Sequence, residues 1–467
     1  MNIASKPSVD PHREEEPHLA RNLSNRHLQL IAIGGAIGTG LFMGSGKTIS
    51  LAGPSILLVY AVIGFMLFFV MRALGEILLS NLEYRSFADF AGDYLGPWAQ
   101  FFTGWTYWLC WIVTGVADVV AVSGYVSFWF PELALWIPAL GLIFTLLALN
   151  LPTVRNFGEI EFWFALIKIV AIVALIIAGV YMLSTGFTLP NGSQASVAHL
   201  WNHGGFFPNG FLGFVAGFQI AVFAFVGIEL VGTAAAETKD PVRNLPKAIN
   251  SIPIRVVLFY LGALFVIITV IPWDQVDPNS SPFVAMFSLA GLGIAAHVVN
   301  FVVLTSATSS ANSGIYSTSR MIYGLATSKL APKALGKLNK RKVPVNSLFF
   351  SCVFLLAGVV LLYAGQSIIE AFTIVTTISA LLFIFIWSII LASYLQYRRK
   401  RPDLHEKSTF KMPGGRAAVA MVFVFFAFIL WALAQKPDTA AALKITPLWF
   451  VLLAVAYLVM KSRRSQG

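Results

Sequence analysis

The sequence predicts an all-α membrane protein with twelve transmembrane helices, and three observations support this fold class. The 467 residues are 57% hydrophobic and only 11% charged, whereas a soluble protein carries roughly 25% charged residues. Twelve apolar runs approach or exceed the length of about 20 residues that a membrane-spanning helix needs. Lysine and arginine concentrate in alternate connections between the runs, as expected for cytosolic loops. These observations exclude a water-soluble enzyme and a disordered chain.

The predicted spans follow one another along nearly the whole chain. Residues 1–27 are polar and charged, and they form a predicted cytosolic tail. They are not a signal peptide, because the apolar run that follows is long and lacks a small-residue cleavage site. The spans cover residues 28–51, 54–79, 98–126, 134–152, 159–184, 209–235, 253–272, 290–326, 346–364, 368–396, 417–435 and 445–461.

The distribution of positive charge predicts the orientation of the chain. Of the 32 lysines and arginines, 26 lie in the two tails and in the loops of one side, whereas the loops of the other side hold only Lys436 and Lys444. We therefore expect both termini in the cytosol. This asymmetry also explains the net charge of +11 without nucleic acid, and membrane lipid is the expected environment.

The first span is rich in glycine and predicts a broken helix. Six glycines fall within Ile33–Gly46, and glycine disfavours a helix by about 1 kcal/mol relative to alanine. We expect the break at Gly38-Thr39-Gly40, with a second half-helix that begins near Leu41. Its free N–H groups and positive dipole end suit a carboxylate. The alternative is close packing of small residues against a neighbouring helix.

The sixth span repeats this pattern. It contains Val226-Gly227 and, two residues later, Glu229, whose carboxylate would be costly in lipid. A break near Val226-Gly227 frees carbonyl groups that suit an ammonium group. Broken helices at matching places in two five-helix halves indicate an inverted-repeat transporter with its binding site at the midplane.

Two further ionisable residues lie deep in predicted spans. Lys168 is about 13 Å along the fifth span from Glu159 at 1.5 Å per residue, which is too deep to reach the surface easily. It is therefore a functional candidate. Asp118 lies within the third span, where it carries a proton, hydrogen-bonds the substrate or bonds only to neighbouring helices. Neither the histidines nor the buried Cys110 and Cys352 form a metal-binding or disulfide pattern.

Several motifs resemble those of the bacterial amino acid permeases in the amino acid–polyamine–organocation superfamily. The resemblance covers residues from about 20 to 460 and implies ten helices in a five-plus-five inverted repeat with two more at the end. The motifs are Arg21–Ala32 running into the glycine-rich segment, Phe164–Lys168, Ala236–Pro241, Leu245–Ile249 and the polar span that ends at Ser319-Arg320. The implied divisions are the tail 1–27, the repeats 28–184 and 209–396 around an external loop 185–208, the basic loop 397–416, helices 11 and 12 at 417–461 and the tail 462–467.

The resemblance also implies roles for individual residues. Thr39 and Gly40 would bind a substrate carboxylate. Backbone carbonyls at Ala36, Phe223 and Val226 would receive its ammonium group, and Phe223 would also act as an aromatic gate. Lys168 would take the place of a sodium ion of related symporters, which favours proton coupling, with Asp118 as its partner. The expected substrate-binding residues are Ala36, Gly38, Thr39, Gly40, Phe223, Val226 and Gly227.

Within this family, Gly40–Ser55 and Leu404–Ser408 are most similar to permeases for D-serine, D-alanine and glycine, and Asp118 replaces the glutamate of many relatives. The sequence thus predicts a transporter, not an enzyme, that imports small neutral amino acids by proton symport. The expected substrates are D-alanine, D-serine and glycine, with L-alanine as a further candidate. It needs no cofactor beyond the coupling proton, and it works as a monomer or weak dimer in the bacterial inner membrane. An amino acid exchanger of the same fold is the alternative. A channel is disfavoured because no ring of filter residues is present, and a nutrient sensor because both tails are short.

Overall fold

The computed structural model describes residues 37–84, 86–152, 154–235, 240–364 and 367–465. Within these residues the chain is helical, and the only β-type pairing is a bridge between Thr188 and Gln194. The α-helices are α1 Thr39–Phe42, α2 Gly44–Ala52, α3 Ile56–Ser80, α4 Phe87–Leu95, α5 Pro97–Ser127, α6 Trp136–Asn150, α7 Val154–Thr185, α8 His199–Asn202, α9 Gly210–Ala221, α10 Leu230–Ala235, α11 Pro241–Asn250, α12 Ile252–Arg255, α13 Ala263–Val270, α14 Pro282–Leu289, α15 Gly293–Thr327, α16 Val345–Tyr363, α17 Ile368–Lys400, α18 Pro402–Lys407, α19 Gly415–Leu433 and α20 Pro437–Ser465.

Ten helical segments of the described residues are long and apolar enough to cross a membrane. The segment Gly44–Ser80 joins two predicted spans through a short 3₁₀ turn, Gly53–Ser55, where Gly53 has a φ of +58°. The helix Trp136–Asn150 is apolar but only 15 residues long. The multi-pass helical fold is thereby confirmed, while the count of twelve spans and the inverted repeat remain predictions.

Some elements differ from the prediction for physical reasons. Helix α4 is amphipathic and, at nine residues, too short to resemble a span. It begins with a capping box in which Ser86 and Asp89 satisfy each other's backbone N–H groups. Helix α14 is likewise a short apolar helix, which hydropathy alone cannot separate from a loop. The last helix begins at Pro437 rather than near residue 445. Hydropathy places its start too late because polar residues such as Asp438 and Lys444 lower the hydropathy of the first turns.

The centre of the bundle is built on α5, which packs against α15 and α17. Large aromatic side chains such as Trp111 on α5 and Trp387 on α17 are fully buried there. Helix α15 instead presents a run of small polar residues, Ser306 to Ser319, and most of them are buried. The centre therefore combines apolar packing with a polar seam along α15.

Helix α7 has one inward and one outward face. Trp163, Val170 and Ile177 are 59%, 59% and 64% exposed, as expected for side chains in contact with lipid. The buried face has the helical spacing of three or four residues and contains two ionisable groups. Its members are Glu161, Ala165, Lys168, Ile172 and Leu175.

The basic loops meet at one end of the bundle, which we call the basic end. There the carboxylate of Glu76 on α3 is fully buried, accepts a hydrogen bond from the Met412 backbone N–H (2.7 Å) and shares another with His405 Nδ1 (2.5 Å). One turn earlier, Arg72 donates to Asn250 Oδ1 (2.7 Å) and lies 3.8 Å from the ring centroid of Phe410. These contacts fix the segment 401–416 against α3.

Candidate functional site

The half-helix expected after the first predicted break is present, and Gly38 directly precedes it. This residue is the N-cap of α1 with φ −127° and ψ −161°, and its carbonyl accepts from the N–H groups of Leu41 and Phe42 at 3.2 Å. The half-helix therefore begins at Thr39, two residues before the predicted Leu41. Its first N–H groups have no acceptor within the helix. The predicted ligand Ala36 and the residues before it lie outside the described part of the chain.

The second predicted break is confirmed. Helix α9 ends at Ala221, and a 3₁₀ turn carries the chain through Val222–Phe225. Val226 is then extended with ψ 139°, Gly227 has a φ of +96°, and helix resumes at Leu230. A φ of this sign strains any residue with a side chain, which explains the glycine.

Glu229 organises the second break. Its carboxylate is fully buried and accepts from the Gly227 N–H through Oε2 (3.2 Å) and from the Tyr107 hydroxyl through Oε1 (3.3 Å). This acidic side chain therefore faces protein and stabilises the unwound backbone. The sequence predicts this inward orientation, because a carboxylate in the middle of a span would be costly in lipid.

The start of α1 touches the second break. A Cβ added to Gly40 would lie 2.5 Å from Ala224 Cα and 2.9 Å from Phe223 Cδ1, so only glycine permits this approach. The Tyr260 hydroxyl donates to the Ala224 carbonyl (3.0 Å) and so stabilises the 3₁₀ turn of the second break. The Phe223 ring is edge-on to Phe372, with centroids 6.0 Å apart. Phe223 thus lies beside the junction, and its role as a gate stays a prediction.

Asp118 is joined to the first break. Thr39 Oγ1 donates to Asp118 Oδ1 (2.8 Å), and both residues are buried. The second carboxylate oxygen, Oδ2, has no hydrogen-bond partner within the described residues. From α15, Ser306 donates to the Ile37 carbonyl (3.1 Å), and Ser310 Oγ lies close to Gly38. The start of α1 is therefore held by α5 and α15 together.

Lys168 is fully buried, as its sequence position predicted. Its Nζ donates to Ser309 Oγ (3.0 Å) on α15, and it interacts electrostatically with Asp118 and with Glu161. The structure therefore brings the two predicted coupling residues into one charged group. That group also contains a carboxylate that the sequence analysis did not select.

Glu161 is the residue that sequence reasoning missed. It lies on the buried face of α7, two turns before Lys168, and its carboxylate accepts from Ser309 Oγ (2.8 Å) and from Asn312 Nδ2 (2.7 Å). Asn312 accepts in turn from Asn150 Nδ2 (2.6 Å). The spacing of Glu161 and Lys168, seven residues or two helical turns, was the signal that places both on one face.

A family comparison decides what kind of protein carries this site. A sequence model of the amino acid permease family matches residues 27–466. The chain belongs to this family. It is 63% identical over 457 residues to the D-serine/D-alanine/glycine transporter of Escherichia coli (strain K12), covering 98% of this chain and 97% of that protein. It is also 52% identical over 449 residues to an amino-acid permease of Bacillus subtilis (strain 168), covering 96% of each.

The chain is therefore a multi-pass amino acid permease of the membrane, and the resemblance drawn from its motifs is confirmed. Members of the family and these relatives are transporters, not enzymes. Within the described part of this permease, no group of three or more His, Cys, Asp or Glu side chains has the geometry to hold a metal ion.

A cavity of about 550 Å³ opens at the basic end of the permease. It lies between residues 81–100, which include α4, and the last turns of α15. The polar residues of α15 therefore lead towards this cavity from the centre of the bundle. Phe157 on α7 stacks on Tyr316 at its edge, with ring centroids 3.6 Å apart. Its charged and polar lining includes Glu83, Asp89, Asp93, Tyr316 and Arg320.

Proposed function

We propose that this permease imports small neutral amino acids, among them D-alanine, D-serine, glycine and L-alanine, by proton symport. The substrate class is supported by the 63% identity to the transporter of D-serine, D-alanine and glycine, which extends over 98% of the chain. The observation that carries the proposal is the contact between the start of α1, at Gly40, and the unwound segment after α9, at Ala224.

This contact suits a zwitterion. The first N–H groups of α1, at Thr39 and Gly40, provide donors and a positive dipole end for the carboxylate. The unwound segment at Phe223–Gly227 provides carbonyl oxygens for the ammonium group, and Ala36 would add another. Donors and acceptors of the backbone can bind both charges without a formal charge of the protein in each subsite. The site therefore recognises the part that all amino acids share.

The surroundings favour a small side chain. Ala224 approaches Gly40 closely, and the rings of Phe223 and Phe372 close one side. Such close surroundings would accept hydrogen, methyl or hydroxymethyl and would exclude larger groups by clash. A site dominated by backbone contacts also tolerates either hand of alanine or serine, because specificity depends on what it repels.

Proton coupling is supported by Lys168 and Asp118. Both are buried, and Asp118 accepts from Thr39 at the start of the half-helix that would bind the carboxylate. A change of protonation there alters the hydrogen bond that orients α1. Substrate binding and protonation are thus linked through one contact.

The fold that fits this function has twelve spans, with a five-plus-five inverted repeat and both termini in the cytosol. The segment Gly44–Ser80 then contains the second half of span one and all of span two, and Trp136–Asn150 is span four. The location is a bacterial inner membrane with lipid around a monomer or weak dimer. No cofactor takes part, and the proton is the coupling ion.

The test is uptake of labelled D-alanine by cells that lack their own amino acid permeases. Wild type and Lys168→Ala are compared at equal expression, with and without a protonophore. We expect saturable uptake by wild type that the protonophore abolishes, and no accumulation by the variant. Excess D-serine, glycine and L-alanine should compete, whereas L-tryptophan should not.

Different failures identify different errors. Uptake of a larger amino acid instead of D-alanine contradicts the substrate assignment. Uptake that needs internal amino acid and ignores the protonophore indicates exchange. Normal, protonophore-sensitive uptake by Lys168→Ala contradicts the role of this lysine.

A further inference from the structure

We propose that Glu161 is the proton-accepting group on the cytosolic side of the coupling site, linked to Lys168 through the hydroxyl of Ser309. This inference rests on the proton symport proposed above and adds a third ionisable residue to it. Glu161 then acts on the coupling proton without contact with the amino acid substrate.

A continuous hydrogen-bond chain supports this role. Lys168 Nζ donates to Ser309 Oγ at 3.0 Å, and the same hydroxyl donates to Glu161 Oε2 at 2.8 Å. The single hydroxyl proton is thus oriented from the lysine towards the carboxylate. Asn312 holds the other oxygen of Glu161 at 2.7 Å and fixes the carboxylate in place.

The charges of Asp118, Lys168 and Glu161 favour the binding of one additional proton. Asp118, Lys168 and Glu161 are each at most 1% exposed, and they combine two carboxylates with one amine. With all three ionised the group has a net charge of −1, which is costly in a buried site. One added proton makes it neutral. Within the described residues, the charged side chain that acts on Glu161 is Lys168.

The transfer itself balances without any other reactant. The Lys168 ammonium gives a proton to Ser309 Oγ while Ser309 gives its own hydroxyl proton to Glu161 Oε2. A neutral amine, an unchanged serine and a neutral carboxylic acid result. A proton that arrives from the substrate side, where Asp118 lies, then resets the amine. One proton equivalent has passed from Lys168 Nζ to Glu161 Oε2 across two hydrogen bonds, of 3.0 and 2.8 Å, that meet at the Ser309 hydroxyl.

The cavity at the basic end lies on the same side of the charged group as Glu161. Tyr316, on the cavity wall, is four residues from Asn312 on α15, which is about one turn or 6 Å. Glu161 is therefore the member of the charged group closest to water on the predicted cytosolic side. Asp118, at Thr39, lies at the substrate side.

The experiment compares two transport modes of the purified permease in liposomes. Accumulation of labelled D-alanine is driven by an imposed pH gradient, whereas counterflow into liposomes loaded with unlabelled D-alanine requires no net release of the proton. The variants are Glu161→Gln and Ser309→Ala. The controls are Glu132→Gln, an exposed glutamate, and Thr308→Ala, whose hydroxyl bonds to the Leu304 carbonyl of its own helix.

We expect Glu161→Gln and Ser309→Ala to lose accumulation by at least about tenfold, the effect of losing a hydrogen bond to a charged group. Counterflow should stay within about twofold of wild type, and both controls should retain both modes. Two results for Glu161→Gln would overturn the inference. Loss of both accumulation and counterflow would assign the residue a purely structural role, and retention of both would mean that it does not take part in coupling. If wild type itself ignores the pH gradient, the proposed symport fails instead.

Discussion

Gly40 is the residue on which the geometry of the substrate site depends most directly. A methyl group at this position would overlap the Ala224 backbone at 2.5 Å, and backbone cannot move aside as a flexible side chain can. Overpacking of this kind is unfavourable by about 1–3 kcal/mol. We expect Gly40→Ala to lower D-alanine uptake by roughly tenfold or more, since 1.4 kcal/mol is a factor of ten.

The matched control is Gly141→Ala. Gly141 lies within α6, where an added Cβ meets no atom within 4 Å, and alanine is the better helix former. This variant should transport normally and be at least as resistant to heat as wild type. Equal uptake by the two variants at equal expression would mean that the junction of the broken helices does not limit transport.

At the same scale, the sequence revealed some functional residues and concealed others. Lys168 and Asp118 were visible because each interrupts an apolar run. Glu161 was not, because the predicted span began at residue 159, which made the glutamates there resemble an interfacial boundary. The helix in fact starts at Val154, so Glu161 is inside the bundle. Its partners Ser309 and Asn312 are distant in sequence, and only tertiary packing brings them together.

At the scale of elements, hydropathy located most long helices to within a few residues, and glycine located the break at Val226-Gly227. Hydropathy did not reveal α4, because an amphipathic helix of nine residues lacks the apolar length of a span. Nor did it reveal how the segment 401–416 is attached. That attachment depends on Glu76, whose buried carboxylate holds both His405 and the backbone of Met412.

We therefore expect Glu76→Ala to detach this segment from α3. The substitution leaves the buried Met412 N–H without an acceptor, which costs about 1–3 kcal/mol. The melting temperature of the purified permease should fall, and trypsin should cleave at Lys407 and Lys411 faster in inside-out vesicles.

Glu406→Ala is the matched control, because Glu406 is exposed on the same short helix as His405. It should leave both the melting temperature and the cleavage rate unchanged. If Glu76→Ala behaves like this control, the buried contacts of Glu76 do not hold the segment.

At the scale of the whole molecule, two parts of different character meet. The substrate junction is formed by the unwound ends of α1 and α9, whereas the ionisable residues lie on the continuous helices α5 and α7 and bond to α15. Thr39 to Asp118 and Ser306 to the Ile37 carbonyl are hydrogen bonds that join the two parts. Movement of α1 must therefore change the surroundings of Asp118, and protonation of Asp118 must change the hold on α1. This reciprocity is what coupled transport requires.

The direction of transport depends on which end of the bundle faces the cytosol, and the asymmetry of positive charge predicts that the basic end does. Cys110 and Cys352 are both buried, so alanine at both positions provides a background without thiols. In this background Asn202→Cys, exposed at the end opposite the basic loops, should react with a membrane-impermeant maleimide applied to intact spheroplasts. Lys337→Cys, exposed at the basic end, should react only after permeabilisation.

The reverse pattern would invert the topology, and Glu161 would then lie on the external side of Lys168. The proton relay would still have the same atoms, but it would admit the proton rather than release it.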